Sequence, residues 1–319
     1  MRRRNLIAGL TGMVAFPFAT RAQTPSRIFR LAHLAISSDS EAFTRKTTLP
    51  ELARLGFVEG RNLVFDARVG EPDLLPALMR ELLAGQPDAV VAIGPLELRA
   101  ASGATRIVPI VSFGVDPVEL GLAASHVRPG GNVTGVVIQV DELEAKRLSI
   151  LLEAVPDRRR VAVLVAAPSE ANEAALRKAA AGLGVEVLVF PVASPRDYAA
   201  AFAAMRAQGA QAMMIAANPQ FFRDGRQLAG LALEARLPTV CEWAEMAHAG
   251  CMIGYGPSRI ALRKRMADQI AQIFRGVPPG DIPIEQPTAF EFSLNLKIAK
   301  SLDLIVPPVL LTRADEVIE

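Results

Sequence analysis

Short apolar runs and longer amphipathic stretches alternate along most of the chain. Residues 89–93 and 108–113 are apolar runs of the kind that buried parallel strands show, because both faces of such strands are covered. Residues 74–84 and 170–183 instead have the spacing and composition of helices. The repeated alternation of strand and helix predicts a parallel sheet with helices on both faces.

The same alternation occurs twice, once before and once after about residue 138. The loop at 128–132, with its Pro and two Gly, ends the first series, and a strand at 133–140 leaves it. Within the first series, Pro50 is expected to break or kink the helix predicted at 41–55. The chain is therefore predicted to contain two α/β halves of similar architecture.

The first 22 residues differ in composition from the rest. Three arginines at 2–4 precede an uncharged apolar run at 6–19, and a small residue, Ala22, ends the segment. This is the pattern of a secretory signal peptide, and the run is too short for a permanent transmembrane helix. We expect residues 1–22 to be removed on export to the periplasm, and the basic start fits a twin-arginine signal as well as a Sec signal.

The charge of the chain changes if the leader is removed. The whole chain has 35 basic and 33 acidic residues, and the leader holds four arginines and no acids, so the net charge goes from +2 to −2. A mature chain without a basic bias is not expected to bind nucleic acid. No later stretch reaches 18 uninterrupted apolar residues, so stable membrane insertion is not expected either.

The sequence lacks the motifs of common catalytic and cofactor sites. It has no glycine-rich dinucleotide or phosphate loop of the usual spacing and no nucleophile elbow. Its histidines, His33, His126 and His248, are far apart, and no group of His, Cys, Asp and Glu has the spacing of a metal site. We therefore expect no cofactor, no metal ion and no enzymatic activity.

Two cysteines, Cys241 and Cys251, lie ten residues apart. In an oxidising compartment they could form a disulfide, but spacing alone does not show that their Cβ atoms meet. We favour the alternative interpretation, in which both are buried free thiols.

Candidate ligand-binding residues follow from the positions of the strand ends. In open α/β sheets, ligands lie beyond the carboxyl ends of the strands, where helices begin with free N–H groups. The candidates are Ser37, Ser38, Gly94, Pro95, Gly114 and Asp116 in the first half, and Ser169, Asn172, Asn218, Trp243 and Tyr255 in the second. Pro168 and Glu245 lie at the same strand ends.

Each candidate also has a purely structural interpretation. Ser37 or Ser38 could only cap a helix, because capping and ligand contact use the same hydroxyl. Asp116 and Asn218 each precede a proline and could only stabilise a turn. The single tryptophan, Trp243, could stack on a ligand or pack in a core.

Charged residues near the strand ends have alternative interpretations as well. Glu97 would favour a ligand with an amino group if it faced a cleft, and would have no such role on a helix surface. The arginine-rich runs at 158–160 and 263–265 are interpreted as solvated surface charge.

Several segments resemble one protein family, and they occur in the same order over nearly the whole mature chain. They are Gly-Phe-Val-Glu-Gly-Arg-Asn at 56–62, Val-Asp-Pro-Val at 115–118, Arg-Pro-Gly-Gly-Asn-Val-Thr-Gly at 128–135, Gly-Tyr-Gly at 254–256, Gln-Pro-Thr at 286–288, Asn-Leu-Lys at 295–297 and Arg-Ala-Asp-Glu-Val-Ile at 313–318. The family that they resemble is the tryptophan/tyrosine-type substrate-binding proteins of ABC transporters.

The resemblance implies a type I periplasmic-binding fold, in which two Rossmann-like lobes with parallel sheets are joined by a multi-strand hinge. It implies a first lobe of residues 28–136 with about 256–283, and a second lobe of 137–255 with about 284–319. The implied partners are a small-molecule ligand, with an amino acid or related carboxylate favoured, and an ABC permease with its ATPase. An exported sensor module of the same fold, feeding a signalling receptor, is the alternative function.

Overall fold

A computed structural model describes residues 27–138, 140–166 and 170–319, with the backbone alone at 140, 141 and 170–172. The predicted leader, residues 1–22, lies outside the described residues. The described strands form two separate sheets, one of five strands and one of seven. No helix in this part of the chain is long and apolar enough to cross a membrane.

Strands and helices alternate in both halves of the chain. The strands are β1 (Phe29–Ala35), β2 (Leu63–Val69), β3 (Ala89–Ile93), β4 (Ile110–Phe113), β5 (Val133–Val136), β6 (Arg160–Val165), β7 (Glu186–Pro191), β8 (Ala212–Ile215), β9 (Thr239–Cys241), β10 (Ile253–Pro257), β11 (Phe290–Asn295) and β12 (Glu316–Ile318). The helices are α1 (Ser38–Arg54), α2 (Leu75–Ala84), α3 (Pro95–Ala104), α4 (Val140–Ala154), α5 (Glu170–Gly182), α6 (Tyr198–Ala207), α7 (Pro219–Arg223), α8 (Gly225–Glu234), α9 (Arg259–Phe274), α10 (Leu296–Ser301) and α11 (Pro308–Arg313).

The first sheet is parallel throughout, with its strands in the order β2-β1-β3-β4-β5. Its central strands are buried along almost their whole length, which explains why they are apolar runs in the sequence. Helices α1 and α9 pack together over one face, where Leu52 and Ile270 share a core with Val91. Helices α2 and α3 cover the other face, where Met79 and Leu98 pack in a second core.

Helix α1 runs through Pro50, so the break predicted there is wrong. Leu49 and Leu52, on either side of the proline, are buried in the core that α1 shares with α9. The burial of these side chains outweighs the backbone hydrogen bond that a proline cannot make.

The second sheet has its strands in the order β12-β11-β10-β9-β8-β6-β7. Its strands are parallel except that β11 and β12, at one edge, run antiparallel to the others. Helix α4 packs on one face and α6 and α8 contribute to the core of the other. The predicted α/β class, with two sheets dominated by parallel strands, is confirmed.

The chain passes between the two sheets after β5, between β10 and α9, and again after residue 282 toward β11. The first and third of these passages are hydrogen-bonded to each other. Val137 N donates to Glu285 O at 2.9 Å, and Glu285 N donates to Gly135 O at 2.9 Å. The lobe boundaries given above stay a prediction.

Cys241 and Cys251 form a disulfide, with their Cα atoms 6.5 Å apart. Cys241 is the last residue of β9, and Cys251 lies just before β10, the parallel neighbour of β9. The pairing of these strands brings the two residues within reach of each other. The interpretation of both as free thiols is therefore wrong.

Candidate functional site

The carboxyl ends of the two sheets meet around one side chain, Arg259, the first residue of α9. Helix α1 follows β1, and α7 follows β8, each after a short connection, so both helices begin at the carboxyl ends of their strands. The guanidinium carbon of Arg259 lies 4.1 Å from the ring centroid of Phe43 in α1 and 4.2 Å from that of Phe222 in α7. We call the space between these strand ends, bordered by Phe43, Arg259 and Phe222, the cleft.

Trp243 adds a third aromatic ring to the surroundings of Arg259. Its ring centroid lies 5.5 Å from the guanidinium carbon, and the residue is 7% exposed. Arg259 also forms an ion pair with Glu245 at 3.7 Å. Burial lowers the pKa of Arg259, and Glu245 and Glu242 act in the opposite direction. Aromatic faces and acidic groups thus hold a cation at the edge of the cleft.

Arg263 lies one helical turn further along α9 and is almost fully buried, with 4% of its surface exposed. Its guanidinium carbon is 4.2 Å from the ring centroid of Phe113, at the end of β4, and its Nη1 is 3.5 Å from Thr44 Oγ1. Burial and the positive charge of Arg259 lower the pKa of Arg263 to about 9. The interpretation of 263–265 as solvated surface charge is therefore wrong for Arg263. The other two residues of the run, Lys264 and Arg265, are exposed.

The second sheet presents an acidic and basic network at its carboxyl ends. Arg147 of α4 is 1% exposed, and it donates from Nε to Tyr255 O at 2.8 Å and from Nη2 to Glu242 O at 3.0 Å. The Glu242 carboxylate accepts from Asn218 N at 3.0 Å. Burial raises the pKa of Glu242 to about 7, although Arg147 acts against this. Arg147 therefore fixes the ends of β9 and β10, and the pKa of Glu242 lies close to neutral pH.

Glu97 lies at the carboxyl ends of the first sheet, in the first turn of α3, and it is 2% exposed. Burial raises its pKa to about 7, and the backbone amides of Glu97 and Ile36, which hydrogen-bond the carboxylate, lower it less. Ile36 directly follows β1, so the carboxyl group lies between the ends of β1 and β3. The alternative that placed Glu97 on a helix surface is wrong.

The first-sheet candidates are divided between strand ends and caps. Gly94 and Gly114 lie side by side, since Gly94 N donates to Phe113 O at 3.1 Å and Phe113 precedes Gly114. Ser37 caps α1, and its Oγ accepts from Ser40 N at 3.3 Å. Ser38 and Pro95 are exposed in the first turns of their helices.

Asp116 has a partner for each carboxylate oxygen. Its Oδ1 accepts from Val118 N at 2.8 Å, and its Oδ2 lies 2.7 Å from Nε2 of His126. Its observed contacts are therefore those of a turn-stabilising residue.

The second-sheet candidates also differ in their surroundings. Asn218 caps α7, accepting from Gln220 N at 2.8 Å, and lies beside the Glu242 carboxylate. The Tyr255 ring stacks on Phe290, with centroids 6.1 Å apart, and packs against the core beneath α4. Ser169 and Pro168 lie outside the described residues, as does the side chain of Asn172 in α5.

Three residues that border the cleft were missed by the sequence analysis, as was Arg147, which supports the strand ends beside it. No recognisable motif contains these residues, which are Phe43, Arg147, Phe222 and Arg259. The strand-end rule would have led to Arg259 had it been applied to β10, because α9 begins two residues after that strand ends. Over the described ranges, no three His, Cys, Asp or Glu residues are grouped so that they could hold a metal ion.

Two α/β units with mainly parallel sheets, joined by several passages of the chain and meeting at their strand ends, define the type I periplasmic-binding fold class. The chain belongs to the family of ABC transporter substrate binding proteins, because the model of that family matches residues 33–318. Members of this family bind small ligands outside the cytoplasm.

Individual relatives are distant in sequence. A tyrosine-binding protein of Clostridioides difficile (strain R20291) is 22% identical over 269 residues, which are 82% of this chain and 76% of the relative. Two crystal structures each match with a TM-score of 0.82 over 91% of this chain and 100% of their own. They are a conserved domain protein from Vibrio cholerae, at 24% identity, and an ABC domain in complex with L-Trp from Streptococcus pneumonia, at 20% identity.

Proposed function

We propose that this protein is the solute-binding component of an ABC importer, which captures a small organic solute in the cleft and delivers it to a membrane permease. The observation that carries the proposal is the meeting of both sheets' carboxyl ends around Arg259, which contacts Phe43 from one side and Phe222 from the other. A solute in this position would contact both halves at once. Such a solute favours the closed arrangement, because only that arrangement supplies all of its contacts.

The favoured ligand is an amino acid or a related carboxylate, with aromatic amino acids first. The rings of Phe43, Phe222 and Trp243 offer an apolar and aromatic surface beside charged groups. Glu97 is buried and Glu242 is half-buried at the strand ends of opposite sheets, and both are able to accept hydrogen bonds from an amino group. The tyrosine-binding relative and the L-Trp complex support the same ligand class.

The remaining parts of the proposal concern the location of the protein, its binding reaction, its site residues and its lobe boundaries. The protein is exported to the periplasm with loss of residues 1–22, and it binds its ligand without chemical change or a cofactor. Of the residues predicted from strand ends, Gly94, Gly114, Asn218 and Trp243 are proposed to line the binding site. The lobes are proposed to be 28–136 with about 256–283, and 137–255 with about 284–319.

Ligand binding is tested by fluorescence, since Trp243 is the only tryptophan of the chain and borders the cleft. We expect L-tyrosine, added to protein that has been unfolded and refolded free of solute, to change the emission of Trp243 in a saturable way. Phe222→Leu should weaken this binding, whereas Phe290→Leu, which alters an aromatic residue that is 41% exposed, should not. Isothermal titration of the same proteins with L-tryptophan provides the second measurement. Absence of binding by any amino acid or carboxylate would contradict the proposed ligand class.

Delivery to a permease requires a test in cells. Deletion of the gene should abolish uptake of the radiolabelled amino acid that binds best to the purified protein. Reintroduction of the unaltered chain should restore uptake, and the Phe222→Leu chain should restore it only at higher external concentration. Normal uptake in the deletion strain would contradict the importer role while leaving ligand binding intact.

A further inference from the structure

Arg263 is a buried cation without an anionic partner in the described part of the chain. Its Nε has no hydrogen-bond partner there, and its surroundings are the faces of Phe43 and Phe113, at 5.3 and 4.2 Å from the guanidinium carbon. Among the described side chains, the Thr44 hydroxyl is its hydrogen-bond partner, at 3.5 Å. A charge that is desolvated to this degree ordinarily has an ion partner.

Other polar groups around Arg263 also lack partners. Ser40 and Thr48 lie one turn before and one turn after Thr44 on the same face of α1, and within the described residues their hydroxyls have no hydrogen-bond partner. Neither ring nitrogen of the fully buried His33 has a partner there, and the charge of Arg263 acts on that ring. A hydroxyl and a neutral imidazole can each donate or accept a hydrogen bond, so these groups suit a polar ligand of either kind, whereas the charge of Arg263 is offset only by an anion.

Three acidic residues of α1 and of the loop that follows it pair with other arginines, and Asp39, in the first turn of α1, is exposed. Glu41 accepts from Arg45 Nε at 2.8 Å, Glu59 accepts from Arg45 Nη1 at 3.2 Å, and Glu51 pairs with Arg54 at 2.7 Å. Arg259, one turn closer to the cleft, adds a second positive charge to that of Arg263. The two arginines therefore form a positive region at the first-sheet side of the cleft, which Glu245, in an ion pair of 3.7 Å, and Glu242 offset at Arg259.

We propose that Arg263 binds the anionic group of the ligand, a carboxylate, with Arg259 strengthening the attraction from one helical turn nearer the cleft. This inference rests on the proposed function and adds to it a residue and a chemical requirement. A planar guanidinium matches a carboxylate in geometry. The rings of Phe43 and Phe113, which pack against Arg263, carry no net negative charge that could neutralise it. The inference predicts that a ligand whose carboxylate is converted to a neutral amide no longer binds well.

The decisive experiment compares matched probes on matched variants. L-tryptophan, L-tyrosine, L-phenylalanine and L-leucine are titrated calorimetrically beside their carboxamides, against the unaltered protein, Arg263→Gln and Arg265→Gln. Arg265 is the control, because it lies in the same helix but is exposed and paired with Glu285. We expect carboxylates to bind at least tenfold tighter than their amides, and Arg263→Gln to raise the Kd of the best carboxylate by about 100-fold. Arg265→Gln should change that Kd less than threefold.

The outcomes separate this inference from the proposed function. Carboxamides that bind as tightly as carboxylates, or an Arg263→Gln protein with unchanged affinity, would overturn the anion site and leave a solute-binding protein. If neither the amino acids nor their carboxamides bound to the protein, that result would count against the proposed ligand class itself.

A measurement without ligand tests the anion site independently. In the solute-free protein, Arg263→Met replaces an unpaired buried charge with an apolar side chain, and we expect the Tm to rise by about 3 °C. Arg265→Met, which removes an exposed charge from the same helix, should not raise it. A lower Tm for Arg263→Met than for the unaltered protein would mean that Arg263 is a satisfied structural group, and would overturn the inference.

Discussion

The buried carboxyl group of Glu97 makes the stability of the protein depend on pH in a predictable direction. Burial raises its pKa from 4.5 to about 7 in the folded protein. Between these values the folded protein keeps a proton that the unfolded chain has released, so the free energy of unfolding falls as pH rises from 4.5 to 7. A difference of about 2.5 pKa units corresponds to about 3 kcal/mol.

Replacement of Glu97 by Gln removes this proton equilibrium while keeping the size of the side chain. We expect Glu97→Gln to have the stability of the unaltered protein near pH 4.5 and to exceed it by up to about 3 kcal/mol at pH 8. Urea unfolding, followed by far-UV circular dichroism at intervals of half a pH unit from 4.5 to 8, measures the difference directly. Glu119→Gln, which removes an exposed acidic residue near the same strand ends, is the control and should not produce this pH-dependent gain.

The reasoning would be refuted by a difference between Glu97→Gln and the unaltered protein that stays constant from pH 4.5 to pH 8. A constant difference would mean that the Glu97 carboxyl group does not change its pKa on folding. Glu242, whose pKa burial also raises to about 7, should leave part of the pH dependence in the Glu97→Gln protein.

Three further predictions concern the supports of the cleft. Arg147→Met leaves two backbone carbonyls without their donor and should lower the free energy of unfolding by about 3 kcal/mol in urea titrations; a loss below about 1 kcal/mol would contradict its structural role. Gly256→Ala places a Cβ 2.1 Å from Glu242 O and should cost about 2 kcal/mol or more, whereas Gly230→Ala, in a helix with nothing within 4 Å, should gain up to about 1 kcal/mol. Reduction of the disulfide, which closes a loop with a sequence separation of 10, should cost about 3 kcal/mol, and equal urea midpoints with and without dithiothreitol would contradict that bond.

The architecture could be predicted from the sequence because its signal is local and repeated. The apolar run at 89–93 coincides with β3, and such runs are required wherever a parallel strand is covered on both faces. The helix through Pro50 was not predictable in this way, because the core contacts of Leu49 and Leu52 come from a helix more than 200 residues later in the chain. The disulfide depended likewise on the pairing of β9 with β10, which the spacing of two cysteines does not specify.

The candidate site was predictable only where it follows directly from strand ends. The rule led to Trp243 and Asn218, which lie beside Arg259 and Glu242. It failed for Arg263, because an arginine beside a lysine and another arginine has the sequence signature of a surface. Burial of that charge depends on rings from α1 and β4, and only the folded chain brings them together.

The central claim is that one solute binds between the two sets of strand ends and contacts both sheets' helices. A crystal structure of the protein with its tightest-binding amino acid tests this most directly. The account predicts the solute in the cleft, with side-chain contacts to Phe43 or Arg263 on one side and to Phe222 or Trp243 on the other. A solute bound elsewhere, such as in the cavity of about 310 Å³ beside Arg265 and Thr288, would contradict it.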